Sequence, residues 1–136
     1  MTVDELTAFL HREFAEAFDD GGFTIEKSGT DGVARLRHRY HPNMLRPGGT
    51  VSGPTLMGLA DIALYVAVLA AIGPVGLAAT TQLSINFLRK APPNADLIAE
   101  AKLLKRGKRL AMGEVSLFSD GNPELVAHVT GTYSIP

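Results

Sequence analysis

At 136 residues with a formal net charge of -1, the chain is the size of one domain and carries no overall field that would recruit nucleic acid or anionic lipid. Apolar residues make up 46% and charged residues 20%, the balance of a compact globular protein rather than a disordered one. The absence of cysteine excludes disulfides, thiolate metal sites and a cysteine nucleophile, and suits a reducing compartment.

The chain opens Met1-Thr2-Val3-Asp4-Glu5, acidic where a signal peptide would be basic and with no apolar region behind it, so a cytoplasmic protein is expected. Leu6, Phe9, Leu10, Phe14, Ala17 and Phe18 recur at helical spacing and predict a helix over residues 3–18, stopped by Asp19-Asp20-Gly21-Gly22. Phe23–Gly29 and Val33–Tyr40 read as strands joined by the hairpin signal Thr30-Asp31-Gly32. Residues 41–52 hold two prolines and two glycines without a period and read as a loop.

From Gly53 to Ala79 the only charged residue is Asp61, which makes a membrane span the rival reading. An ionised carboxylate inside a span costs about 2.5–3.5 kcal/mol on the lenient insertion scale. Gly73-Pro74 and Gly76 also cut the run, and no lysine or arginine lies between Arg46 and Arg89 to anchor it. The segment is therefore expected to be a soluble protein's helix, buried on every side and entered through Pro54.

Four strand-like runs follow. In the first, Thr81, Leu83, Ile85 and Phe87 are expected on one face and Thr80, Gln82, Ser84 and Asn86 on the other, ending at Ala91-Pro92-Pro93-Asn94. Leu97–Lys105, Leu110–Ser119 and Leu125–Ser134 are separated by Arg106-Gly107 and Asp120-Gly121-Asn122-Pro123, short turns that suit antiparallel neighbours. The expected architecture is α+β, a single domain over residues 1–136 with a curved antiparallel sheet wrapped around a long central helix. One sheet cannot enclose a cylinder about 10 Å wide, so a second subunit is expected to complete the structure.

Three stretches carry a resemblance to a known family: Gly53-Pro54-Thr55-Leu56-Met57-Gly58-Leu59-Ala60-Asp61, Thr80-Thr81-Gln82-Leu83-Ser84-Ile85-Asn86-Phe87-Leu88-Arg89 and Leu104-Lys105-Arg106-Gly107-Lys108-Arg109. Over residues 20–135 the chain resembles the hotdog-fold acyl-CoA thioesterases of the phenylacetate-degradation (PaaI-like) type. In that family a His-Gly-Gly stretch opens the central helix and an acidic residue follows eight positions after the first glycine, the separation kept by Gly53 and Asp61. Ser52 stands at the family histidine, Pro54 replaces the second glycine, and the loop from Asn43 to Ser52 is longer than usual.

Asp61 is a carboxylate among apolar neighbours in a helix; it either bridges structure or activates water, or attacks directly, at a thioester carbonyl, and the resemblance favours the chemical role. Gly53 is either an ordinary helix entry or a free N–H donor to an oxyanion, and the resemblance again favours the donor. By resemblance, Asn43 orients the thioester or the water, and Thr80 offers a hydroxyl to the acid across a dimer interface; as plain residues they are a turn residue and a strand residue. Ser52 reads as a helix N-cap.

Lys105, Arg106, Lys108 and Arg109, with Arg89 and Lys90, suit the nucleotide phosphates of CoA, or else are solvated turn charges. The run is too short and too poor in aromatics for a nucleic-acid surface. His11, His38, His41 and His128 form no metal pattern, although His38 and His41 lie near the loop. The expected function is hydrolysis of an acyl-CoA by a homodimer or homotetramer, with no cofactor beyond the CoA of the substrate and no membrane partner. A non-catalytic acyl-CoA binding domain is the alternative, and a hotdog dehydratase or hydratase stands third.

Overall fold

The computed structural model describes residues 1–13, 22–74 and 78–136. In chain order its elements are α1 (Val3–Glu13), β1 (Phe23–Gly29), β2 (Val33–His38), a 3-10 turn (Pro42–Met44), α2 (Gly53–Ile72), β3 (Ala79–Phe87), β4 (Leu97–Arg106), β5 (Leu110–Ser119) and β6 (Ala127–Ser134). The C-terminal part of the helix expected over residues 3–18, with its stop at Asp19-Asp20-Gly21, lies outside the described residues. The strands make one antiparallel sheet in the order β1-β2-β4-β5-β6-β3, so β3 leaves its chain neighbour β4 and pairs with β6 at the far edge. The sheet wraps α2, which touches all six strands, and this is the hotdog arrangement.

Antiparallel register puts directly opposed residues on one face, and two rows of that face are apolar throughout. Ala34, Ala101, Val115, Val129 and Ile85 form one row, and Leu36, Ala99, Leu117, Ala127 and Phe87 the next. A third row reads Leu103, Gly113, Gly131 and Leu83. Its two glycines leave a hollow that Leu64 of α2 fills: a Cβ on Gly113 would stand 2.5 Å from Leu64 Cδ1, and one on Gly131 2.8 Å from Leu64 Cδ2. Missing side chains at the centre of the sheet are what let the helix come this close.

Both ends of α2 are closed by side chains. Ser52 Oγ accepts from Thr55 N–H at the start, as the N-cap reading expects. At the other end Arg106 Nη1 donates to Ala71 O at 2.8 Å. Burial on every side is not what the protomer shows. The stretch Ala63–Ala70 is buried, but Pro54, Met57 and Gly58 are exposed and Asp61 and Ile62 only half-buried. The sheet covers one side of the cylinder, and the amino-terminal half of the other side stays open.

Three strand limits shift for local reasons. β2 ends at His38 rather than Tyr40 because Tyr40 N–H donates to Asp96 Oδ1 at 2.7 Å. β6 begins at Ala127 because the carbonyl of Val126 is taken by the N–H groups of Leu88 and Arg89. The strand expected to end at Lys105 runs on to Arg106, which pairs with Ala111. The loop over residues 41–52 is tightly tied: Leu45 bridges Val51, Arg46 N–H donates to Thr50 O, and Gly48 and Gly49 turn the chain at φ of 106° and 82°.

Candidate active site

Strict alternation along β3 would turn Thr80 away from α2 with Gln82 and Ser84. A β-bulge between Thr80 and Gln82 reverses this. Thr80 stands opposite Tyr133 and looks at the helix, while Thr81 Oγ1 donates to Thr132 O at 3.2 Å. The reversal brings three side chains together. Thr80 Oγ1 donates to Asp61 Oδ1 at 2.6 Å, and Tyr133 Oη lies 2.5 Å from the same oxygen and 2.8 Å from Asp61 O. The hydroxyl expected to meet the acid across a dimer interface therefore reaches it within one chain.

Tyr133 is 3% exposed and its ring stacks on Tyr65 with centroids 5.9 Å apart. Burial, and secondly the hydrogen bond to Asp61, push the Tyr133 hydroxyl well above the ordinary tyrosine value, so it stays protonated and serves as a donor. Asp61, Ile62, Tyr65, Ala78, Ala79, Thr80 and Tyr133 line a cavity of about 200 Å³. A half-exposed carboxylate with one oxygen doubly hydrogen-bonded and the other without a hydrogen bond among the described residues can accept a proton or attack carbon.

Gly53 sits at the other end of this stretch of helix. Its N–H finds no acceptor among the described residues, whereas the neighbouring Ser52 N–H donates to Met44 O. Eight residues of helix separate Gly53 from Asp61, a rise of about 12 Å, so the two do not meet one small group within a protomer. Asn43 lies in the 3-10 turn, its N–H donating to His41 Nδ1 at 3.0 Å. Asn43 lines a third place, a cavity of about 540 Å³ shared with Phe23, His38, His41, Gly58 and Ile62. Ile62 walls both this cavity and the one at Asp61.

A family model described as the thioesterase superfamily matches residues 48–126, which span α2 and the strands β3, β4 and β5. The chain belongs to the thioesterase superfamily. A Silicibacter sp. TM1040 protein named as a thioesterase is 42% identical and superposes with a TM-score of 0.89, covering 100% of this chain and 92% of that one. The phenylacetic acid degradation protein PaaI of Thermus thermophilus is 25% identical with a TM-score of 0.76, over 87% of this chain and 96% of that one. A Halobacterium salinarum protein that carries an esterase name is 32% identical over 124 residues, 84% of this chain and 80% of its own length. The class of chemistry is thioester hydrolysis, and the PaaI-like resemblance holds.

Within this thioesterase fold the cations read as one CoA-binding set fall into two groups. Arg89 and Lys90 line a cavity of about 310 Å³ beside Gly53, with Arg46, Phe87 and Thr50. Arg46 Nε is fixed by Thr50 Oγ1 at 3.0 Å, and Arg89 pairs with Glu124. Lys105 near the end of β4, with Lys108 and Arg109 in the β4–β5 turn, lies exposed at the opposite end of α2, about 27 Å along the helix. Arg106, the last residue of β4, is occupied as the cap on Ala71. His128 Nε2 meets Glu114 Oε2 at 3.1 Å between β5 and β6.

Two members of these sites were not singled out from the sequence. Arg46 could have been noticed as a third cation near Arg89 and Lys90, but only the turn at Gly48-Gly49 folds it back. Tyr133 gave no signal beyond its place in a strand.

Proposed function

We propose that this thioesterase hydrolyses an acyl-CoA, with Asp61 as general base or nucleophile and Gly53 N–H as oxyanion donor. The observation that carries the reading is Asp61 itself, a carboxylate with Thr80 and Tyr133 on one oxygen at the wall of a cavity. As base, Asp61 takes a proton from water while the water oxygen bonds to the thioester carbon; the C–S bond then breaks and CoA leaves as the thiol, taking back the proton that Asp61 holds. As nucleophile, Asp61 bonds to that carbon first and the C–S bond breaks, CoA leaving as the thiolate and taking a proton from water. Water then cleaves the resulting anhydride to the free acid and restores the Asp61 carboxylate. In either case negative charge grows on the carbonyl oxygen, where a free N–H at a helix start is most useful.

The distance between Gly53 and Asp61 supports a homodimer, alone or within a tetramer. The two residues are symmetric about Met57, which is 37% exposed, and Gly58 beside it has open space over its Cα. An antiparallel two-fold pairing of α2 helices through Met57 and Gly58 sets Gly53 of one copy opposite Asp61 of the partner subunit. Asn43 then orients the thioester from the larger cavity, and Arg89, Lys90 and the β4–β5 turn are the candidate contacts for the CoA phosphates. The cysteine-free composition suits a cytoplasmic setting for this substrate.

The test is a panel of acyl-CoAs with free-thiol detection alongside equilibrium binding. Hydrolysis of one or more members supports the reading. Saturable binding of acyl-CoA with no thiol release would replace it with the non-catalytic binding domain, a reading in which Ser52 at the family histidine has cost the activity.

A further inference from the structure

The two oxygens of Asp61 stand in different surroundings. Oδ1 accepts from Thr80 Oγ1 at 2.6 Å and from Tyr133 Oη at 2.5 Å. Oδ2 hydrogen-bonds to nothing among the described residues. The donors also differ from each other. Thr80 is exposed on the edge strand β3, where water competes for its hydrogen bond to Asp61. Tyr133 comes from the interior strand β6, is 3% exposed and is stacked on Tyr65. Its single proton has two acceptors in reach, Asp61 Oδ1 and Asp61 O. The carbonyl already serves the α-helical ladder of α2, and a hydrogen bond to a carboxylate is the stronger of the two.

We propose that Tyr133 is a positioning residue that, with Thr80, occupies Oδ1 of Asp61 and assigns the reaction with water or thioester to Oδ2. The inference rests on Asp61 being the reacting carboxylate. The terminal torsion of an aspartate is broad and two-fold, so an unheld carboxylate exchanges its oxygens freely. A rigid buried phenol prevents this, and the proton transfer or C–O bond then forms at one oxygen in one orientation. Misplacing a reacting group by about 1 Å costs about 10²-fold in rate. Tyr133→Phe removes only the hydroxyl, so the acyl-CoA contacts stay as they are and the loss falls on the chemical step.

The experiment is steady-state hydrolysis of an acyl-CoA by the full chain and its Tyr133→Phe, Asp61→Asn and doubly substituted variants, with melting temperatures for each. Tyr133→Phe is expected to lower kcat by about 10–100-fold with KM within about twofold of the parent, and to change nothing further in the Asp61→Asn background. Parental kcat in Tyr133→Phe, or an equal loss in both backgrounds, overturns the proposal while leaving an inactive Asp61→Asn to support the acid's own role. An active Asp61→Asn overturns the reading of the acid and this inference with it. Should Tyr133→Phe fail to fold, Thr80→Val and Thr80→Ser decide whether Oδ1 needs its donors: a kcat loss in Val rescued by Ser is expected, and parental rates in both overturn the proposal.

Discussion

Thr80 and Tyr133 stand opposite each other across β3 and β6, and both hydroxyls converge on the same oxygen of Asp61. The convergence depends on one extra residue in β3. Without the bulge, Thr80 would point away from α2 and Asp61 would keep a single side-chain donor. Asp61→Asn is expected to lower turnover by about 10²–10⁴ while the fold and acyl-CoA binding persist, because the amide keeps the size and a hydrogen-bonding oxygen but not the basicity. Free-thiol kinetics with binding and thermal melts check it; loss of folding would make Asp61 a structural bridge.

A stable dimer is expected at micromolar concentration, since Pro54, Met57 and Gly58 leave an open stripe on an otherwise apolar helix and β3 leaves an unpaired sheet edge. Light scattering measures this directly. A folded monomer would remove the pairing of Gly53 with Asp61 of the partner subunit.

The β4–β5 turn divides its labour. Arg109→Ala is expected to raise KM for an intact acyl-CoA and to do much less to an acyl-pantetheine, which lacks the nucleotide. Equal effects on the two substrates would leave Arg109 a solvated turn charge. Arg106→Ala is expected instead to lower stability by about 0.5–1 kcal/mol, because it removes the donor that closes α2 at Ala71. Chemical denaturation reads that difference.

Gly113→Ala is expected to destabilise the protein by about 1–3 kcal/mol through overpacking. The new methyl would meet Leu64 Cδ1 and also the carbonyl oxygen of Lys102 at 2.9 Å, and the backbone atom has little room to yield. Denaturant midpoints measure the loss, and a neutral substitution would mean that α2 shifts easily over the sheet.

Acid is expected to weaken the outer edge of the sheet. Arg37 donates to Glu26, Asp96 and Asp120 at 2.7, 3.1 and 2.8 Å. Its hydrogen bonds hold the Glu26 and Asp120 carboxyls below their ordinary values of 4.5 and 3.8. A carboxyl lowered in the folded state stabilises fully above its unfolded value, and that contribution disappears as the pH falls through the lower folded value. The melting temperature should therefore drop as the pH passes below about 4.5, and Arg37→Met should flatten the drop. These side chains are largely solvated, so the effect is modest. Parallel profiles for the two proteins would show that the network contributes nothing.

Local chemistry was enough to determine most of the elements. The range Gly53–Ile72 is bounded in the sequence by Ser52 and Pro54 at one end and Gly73-Pro74 at the other, and the helix occupies that range. The hairpin turns at Asp31-Gly32 and Arg106-Gly107 join neighbouring strands as their residues predict. The spacing from Gly53 to Asp61, read through the family resemblance, pointed to the carboxylate that Thr80 and Tyr133 hydrogen-bond in the structure. Other features depend on relations between distant parts of the chain. Which strand pairs with β3, where its bulge falls and that Tyr133 meets Asp61 depend on the register between β3 and β6, which are distant in the chain and have no hairpin turn to fix their pairing. Arg106 shows the same division in one residue. Its charge and turn position suited a phosphate, and only the fold brought the carbonyl of Ala71 within reach, because a helix end leaves acceptors that the nearest donor will take.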